Sequence, residues 1–258
     1  MIITKPRDWD RIKANLIEID AQAVFLMGCG ECATVANTGG AKELAEATER
    51  LGAAGYTVTG SVVGTVGCHS GGTRLETRKH QAEIDAADAV IVLACGAGVQ
   101  TAADAISKPV YPGLESMFLG NVVRHGVFEE RCQMCGDCVL DKTAGICAVT
   151  TCPKGLLNGP CGGMWDGKCE VLTDRECVHV KIKQRLAEQG RSRVKTIPPK
   201  DFSAKLKPGS VNMRRDRSSS GPADSAQRPR LHRPASAAPV TPHTQDADSG
   251  SKTEGEAL

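Results

Sequence analysis

Residues 23–32 read Ala23-Val24-Phe25-Leu26-Met27-Gly28-Cys29-Gly30-Glu31-Cys32. An apolar run too short for a helix and cut by a glycine predicts a buried strand, and two cysteines stand where it ends. The pattern recurs downstream. Tyr56 to Val66 alternates and is β-branched, a second strand, and Cys68 follows it. Ala89 to Ala94 is a third, apolar throughout, with Cys95 directly after it. Pro109 to Pro112 leads into a fourth, weaker strand. Helical stretches lie before and between them. Asp8 to Asp20 carries Trp9, Ile12, Leu16 and Ile19 at helical spacing, and Gly39 to Ala54 is rich in helix formers and stops at Gly55. Thr73 to Ala87 and Gly98 to Ile106 complete the set. Strand alternating with helix predicts parallel strands and right-handed crossovers, an α/β doubly wound sheet over residues 1–125.

Beyond that sheet the texture changes. Residues 126–195 are dense in cysteine and in Gly-Pro and Gly-Gly turns, with almost no run long enough for a strand. Thr173-Asp174-Arg175-Glu176 has the form of a capping box and predicts a helix from there to Gln189, closed by Gly190. So few apolar residues predict a segment stapled by metal. Residues 196–258 turn to Ser, Pro, Arg and Asp and read as a disordered tail.

Composition narrows the class. The chain has 258 residues and twelve cysteines, with 32 basic and 30 acidic side chains for a net charge of +2. That balance makes no case for nucleic acid or an anionic membrane. The first residues, MIITKPRDWD, have no apolar signal core, and no apolar run approaches the roughly 18 residues of a membrane span. The expectation is a cytoplasmic chain, and a dozen thiols in a reducing compartment argue for metal rather than disulfides.

The strand-end position of Cys29, Cys32, Cys68 and Cys95 predicts that they converge, because loops after parallel strands share the carboxyl edge where ligands bind. Gly28, Gly30, Gly67 and Gly96 adjoin them, allowing backbone to approach an inorganic centre closely. Backbone N–H groups in these turns would stabilise an anionic cluster. One Cys-x-x-Cys plus two single cysteines differs from the paired knuckles of structural zinc, so a 4Fe–4S cluster is the expectation here. The pattern resembles the cluster-bearing flavodoxin-like domain of hydrogenase small subunits and of the related complex I subunit. Buried small hydrophobes are the bland alternative for Cys68 and Cys95. His69, beside Cys68, reads as solvent-facing or cap-forming.

Cys132, Cys135 and Cys138, two residues apart each, can wrap three corners of a cubane as in bacterial ferredoxins. Cys147, Cys152, Cys161, Cys169 and Cys177 follow, and Cys152 precedes Pro153 as the last cysteine of a ferredoxin run does. Eight thiols could hold two cubanes, or one cubane and a four-thiolate zinc site; spacing alone leaves both open.

The runs Arg131-Cys132-Gln133-Met134-Cys135-Gly136-Asp137-Cys138, Gly145 to Lys154, Leu157-Asn158-Gly159-Pro160-Cys161-Gly162-Gly163 and Gly167 to Val171 together resemble the methylenetetrahydrofolate reductase C-terminal domain family. The N-terminal half, with Gly28-Cys29-Gly30-Glu31-Cys32, is similar to the small iron–sulfur subunit of those enzymes. The resemblance implies an electron-transfer subunit of one-carbon metabolism carrying two or three 4Fe–4S clusters, zinc taking the place of one in some arrangements. It implies as partners an electron-donor protein and a flavin-bearing (β/α)8-barrel reductase, the flavin sitting on that partner. The residues agree. Glycines near Cys29 and Cys68 do not complete a dinucleotide fingerprint, and the chain is too short for a barrel of about 250 residues plus these cysteines. Glu31 and Asp137 read as solvated loop residues, so no catalytic group is expected. Two other readings stand beside this one: a zinc-binding docking module, and an enzyme with substrate in a cleft at Gly71-Gly72 and Gly98.

Overall fold

In the computed structural model, which describes residues 1–191, 196–200, 209 and 211, the apolar run at 23–29 is a central strand of a four-stranded parallel sheet. The chain runs β1 (Ile2–Pro6), α1 (Trp9–Glu18), β2 (Ala23–Cys29), α2 (Cys32–Val35), α3 (Ala41–Ala53), β3 (Thr57–Gly64) and α4 (Ser70–Lys79). It continues through α5 (Gln81–Asp85), β4 (Ala89–Leu93), α6 (Gly96–Ala103), β5 (Val110–Pro112), β6 (Leu114–Arg124) and β7 (Val127–Cys132). The short α7 (Ala148–Thr151) and α8 (Val178–Glu188) close it. Met1–Gly209 forms one compact unit. Of the second, Ser210–Leu258, only Val211 is described, so the expected tail falls almost wholly outside the described residues. No helix among those residues is long and apolar enough to cross a membrane.

The parallel strands lie in the order β3-β2-β4-β5. The order reverses between β2 and β4, the switch point of a flavodoxin-like sheet, whose carboxyl edge is where such folds bind ligands. Both central strands are buried on both faces: Val24, Phe25, Leu26, Val90 and Ile91 are 0–2% exposed. That double burial is why they read as unbroken apolar runs. Ile12, Leu16, Leu44, Leu51, Ile84 and Ala102 from the helices close over them. At the other end of the sheet, one Asp88 carboxylate oxygen accepts the N–H groups of Gln22 and Ala23 at 2.8 and 2.9 Å. Those two backbone bonds hold its carboxyl below the usual carboxylate range.

A second sheet, antiparallel in the order β1-β6-β7, was not expected from the sequence. Its signal was present in the two-residue His125-Gly126 turn between Val122-Val123 and Val127-Phe128, where Gly126 takes φ +73°. The reading that 126–195 is almost strandless is therefore corrected at β7. Gly113 joins the two sheets: its N–H bonds Val92 O at 2.9 Å and its carbonyl accepts Arg7 N–H at 3.0 Å. β1 also backs the first cysteine loop, through a buried Thr4–Thr38 hydroxyl pair at 2.6 Å.

Two helix readings need correction. The expected helix 73–87 is broken at His80, which ends α4 and begins α5, its ring bonded to Glu83 at 2.7 Å and tilted against Phe25. The capping box at Thr173 is not used. Cys169 N–H bonds Arg175 O and Cys177 N–H bonds Gly167 O, so residues 173–177 are drawn into a hairpin and the helix starts only at Val178. The cysteine-rich segment also has a small core of its own, Ala144, Ala148, Val178, Ile182 and Leu186, which the sparse sequence pattern concealed.

Candidate metal centres

The first four cysteines leave the sheet from three neighbouring strands. Cys29 is the last residue of β2 and is buried; its N–H bonds Gly39 O, and Thr34 donates to its carbonyl at 2.7 Å. Cys32 opens α2, Cys68 lies in the turn between β3 and α4, and Cys95 caps the N-terminus of α6. The loops lock together across the sheet. Gly30 N–H bonds Gly64 O at 2.7 Å, and Gly67 N–H points at Cys29 Sγ at 3.4 Å. Partial burial, first, and the neighbouring thiols of Cys95, Cys29 and Cys32, next, hold the Cys68 thiol above its ordinary range, although the residue as a whole is exposed. The three strand ends thus place the four cysteines along one edge of the sheet. Cys95 and Cys68 are not buried core hydrophobes. His69 is a cap: its Nδ1 accepts Gly72 N–H at 2.9 Å.

Ser116 on β6 was not singled out from the sequence. Its hydroxyl accepts the Gly96 N–H at 2.9 Å, so the second sheet reaches the loop that carries Cys95. No local motif marks such a residue; only the path of β6 brings it there. The crevice beside this edge, lined by Gly67, Gly72, Thr73 and Gly98, has a volume of about 10 Å³. That is room for about one water.

The eight later cysteines divide into two groups. Cys132 ends β7, and Cys135 and Cys138 continue the loop beyond it. Cys132 Sγ accepts Met134 N–H at 3.2 Å, and the Cys135 thiol donates to Asp137 O at 3.5 Å. Cys147, Cys152, Cys161, Cys169 and Cys177 instead line one hollow of about 1030 Å³. α7 separates Cys147 from Cys152 by one turn, and Cys177 caps α8. Cys161 and Cys169 flank a hairpin whose two-residue turn, Asp166-Gly167, takes φ +46° and +72°, the conformation an Asp-Gly pair favours. His179 lies in the wall; its Nε2–H donates to Leu156 O at 3.1 Å, and burial lowers its pKa against that bond.

At the most distinctive block, Asn158 to Gly163, a side chain on Gly163 would collide with Glu170. The Glu170 carboxylate lies across that glycine, accepts the Cys161 thiol at 3.3 Å and pairs with Lys154 at 2.5 Å. The Lys154 hydrogen bond lowers the Glu170 carboxyl, and the Cys161 thiol adds to the effect.

The donor set suits iron–sulfur clusters. Twelve free cysteines supply only soft thiolate donors, and backbone N–H groups already point at the sulfurs of Cys29, Cys132 and Cys169. Among the described residues no three His, Cys, Asp or Glu side chains stand close enough to hold a single ion.

Comparison with protein families matches residues 111–203 to a model described as the methylene-tetrahydrofolate reductase C terminal. The match takes in β6, β7, all eight later cysteines and residues 196–200, and leaves β2, β3 and β4 of the parallel sheet outside it. No curated protein and no solved structure matches the chain.

Proposed function

With residues 111–203 matching the model described as the methylene-tetrahydrofolate reductase C terminal, we propose that this chain is the iron–sulfur electron-transfer subunit of a cytoplasmic methylenetetrahydrofolate reductase complex. It passes electrons between a donor protein and the flavin of a barrel-shaped catalytic partner, and chemistry on the folate belongs to that partner. The observation that carries the reading is the placement of Cys29, Cys32, Cys68 and Cys95 at the carboxyl ends of three neighbouring strands, in a chain whose residues 111–203 carry eight more free thiols.

Cys29, Cys32, Cys68 and Cys95 would hold one 4Fe–4S cluster. Cys132, Cys135 and Cys138, with thiols among Cys147, Cys152, Cys161, Cys169 and Cys177, would hold one or two more. Such a cluster, when bound, exchanges single electrons at a potential set by burial and hydrogen bonding. The chain's own residues prepare that environment. Gly67 N–H aims at Cys29 Sγ, Met134 N–H at Cys132 Sγ and Leu172 N–H at Cys169 Sγ, hydrogen bonds of the kind that tune a cluster's potential. Hydrogen bonds from Gly30 to Gly64 and from Gly67 to Cys29 tie the loops after β2 and β3 to each other.

Anaerobic co-purification with iron, acid-labile sulfide, zinc and flavin measured tests the reading. The expected result is several iron and sulfide per chain, brown colour, and a flavoprotein in the same complex. A colourless chain holding zinc and less than about one iron after reconstitution would replace it with a zinc-bound docking module.

A further inference from the structure

Thr196-Ile197-Pro198-Pro199-Lys200 was expected to begin the tail, yet it is strapped onto the cysteine-rich segment. Ile197 is 1% exposed. Its N–H donates to Asn158 Oδ1 at 2.7 Å, and Asn158 Nδ2 donates back to the Ile197 carbonyl at 2.8 Å. Two prolines follow and limit the backbone beyond that anchor. They lead to Lys200, whose side chain is only 4% exposed. Its Nζ donates to the backbone carbonyl of Asp137, between Cys135 and Cys138, and lies 3.7 Å from the Asp137 carboxylate. The Cys135 thiol donates to the same carbonyl oxygen. Ammonium and sulfur thus converge on one atom.

Lysine is among the side chains least often buried, and an ammonium out of water needs compensating negative charge. The Asp137 carboxylate is 60% exposed and at the outer limit of ion pairing, so water screens much of its share. Thiolate sulfur on the same loop would supply further negative charge. We propose that Lys200 is a built-in counter-charge for the metal–thiolate centre on Cys132, Cys135 and Cys138, held there by the 196–200 strap through Asn158. Lys200 is a positioning residue here, acting through the loop and its field. The inference rests on the iron–sulfur reading above. One-electron reduction adds a negative charge to an already anionic centre, and a sheltered cation favours that state because its field is weakly screened. Lys200 therefore raises the potential of this centre.

The test is a redox titration of the full-length chain, reconstituted under anaerobic conditions and followed by electron paramagnetic resonance. Cys132→Ser identifies the signal belonging to the loop. Lys200→Gln is expected to move that signal to lower potential, Lys200→Arg to leave it near the unmodified chain, and Asp137→Asn to move it up. Loss of the signal in Lys200→Gln with retention in Lys200→Arg supports the same role. Loss in both, or a potential indifferent to Lys200→Gln, overturns it. If the unmodified chain takes up no iron, the iron–sulfur reading itself falls; if clusters form and ignore Lys200, only the counter-charge falls.

Discussion

Gly28 has no room for a methyl group. A Cβ there would collide with the Gly39 carbonyl and with Leu44, and the carbonyl belongs to backbone that cannot swing away. Gly67, in the next loop, is different: a Cβ there would meet Cys29 Sγ at 3.5 Å, ordinary contact. The two glycines flank the same sheet edge for different reasons, one for the fold and one for the face toward sulfur. Gly28→Ala is accordingly expected to destabilise the chain by about 1–3 kcal/mol as an overpacked core site. Gly67→Ala should leave the thermal midpoint in place. Equal losses in a melting experiment would refute the distinction. Gly163 sits between these cases, because the atom in its way is the end of a flexible, half-exposed Glu170 side chain. Gly163→Ala should displace Glu170 from Cys161 and Lys154 at little cost to stability, which crystallography of the variant can show.

At the scale of elements, α8 and the Asp88 clamp each secure one half of the unit. Leu186 on α8 is 2% exposed in a core of only five buried residues, so little can collapse into the space it would vacate. Leu186→Ala should cost about 2–5 kcal/mol, read as a lower denaturant midpoint. On the iron–sulfur reading, early loss of metal from the cysteine-rich segment should accompany it. Asp88 joins the starts of β2 and β4 through two N–H bonds. Its folded pKa lies below the unfolded value of about 3.9, so the stability it adds is complete above that value. That stability fades as pH falls through the unfolded and then the folded pKa. Asp88→Asn should remove this acid-dependent part, at a cost near neutral pH of about 1 kcal/mol once screening is allowed for. Identical acid-unfolding slopes in the two proteins would count against it.

Across the whole molecule, β1 links the two sets of cysteines. It pairs along β6, which carries Ser116 to the Cys95 loop and β7 to Cys132, and its Thr4 hydroxyl buttresses the loop of Cys29 and Cys32. Removing residues 1–6 should therefore loosen both cysteine regions together, visible as parallel losses of amide protection near Ala33 and along β7. Loss confined to one region would mean the two are held independently. The parallel sheet and the strand-end placement of four cysteines were legible in the sequence, because double burial demands unbroken apolar runs such as Ala23–Met27 and Ala89–Leu93. The antiparallel sheet was not, since β6 is half exposed and its pattern irregular, leaving only the His125-Gly126 turn to betray it. The helix start at Val178 was misread because the capping preference of Thr173 is worth about 1 kcal/mol, less than the backbone bonds that draw 173–177 into the hairpin. Local chemistry by itself determined which residues can hold metal and where strands must end, because thiols, apolar periods and glycine breaks act within a few positions. Which thiols share a hollow, that Glu170 lies across Gly163, and that Lys200 returns to the Cys135 loop were decided only by tertiary structure, because each depends on a contact between residues apart along the chain.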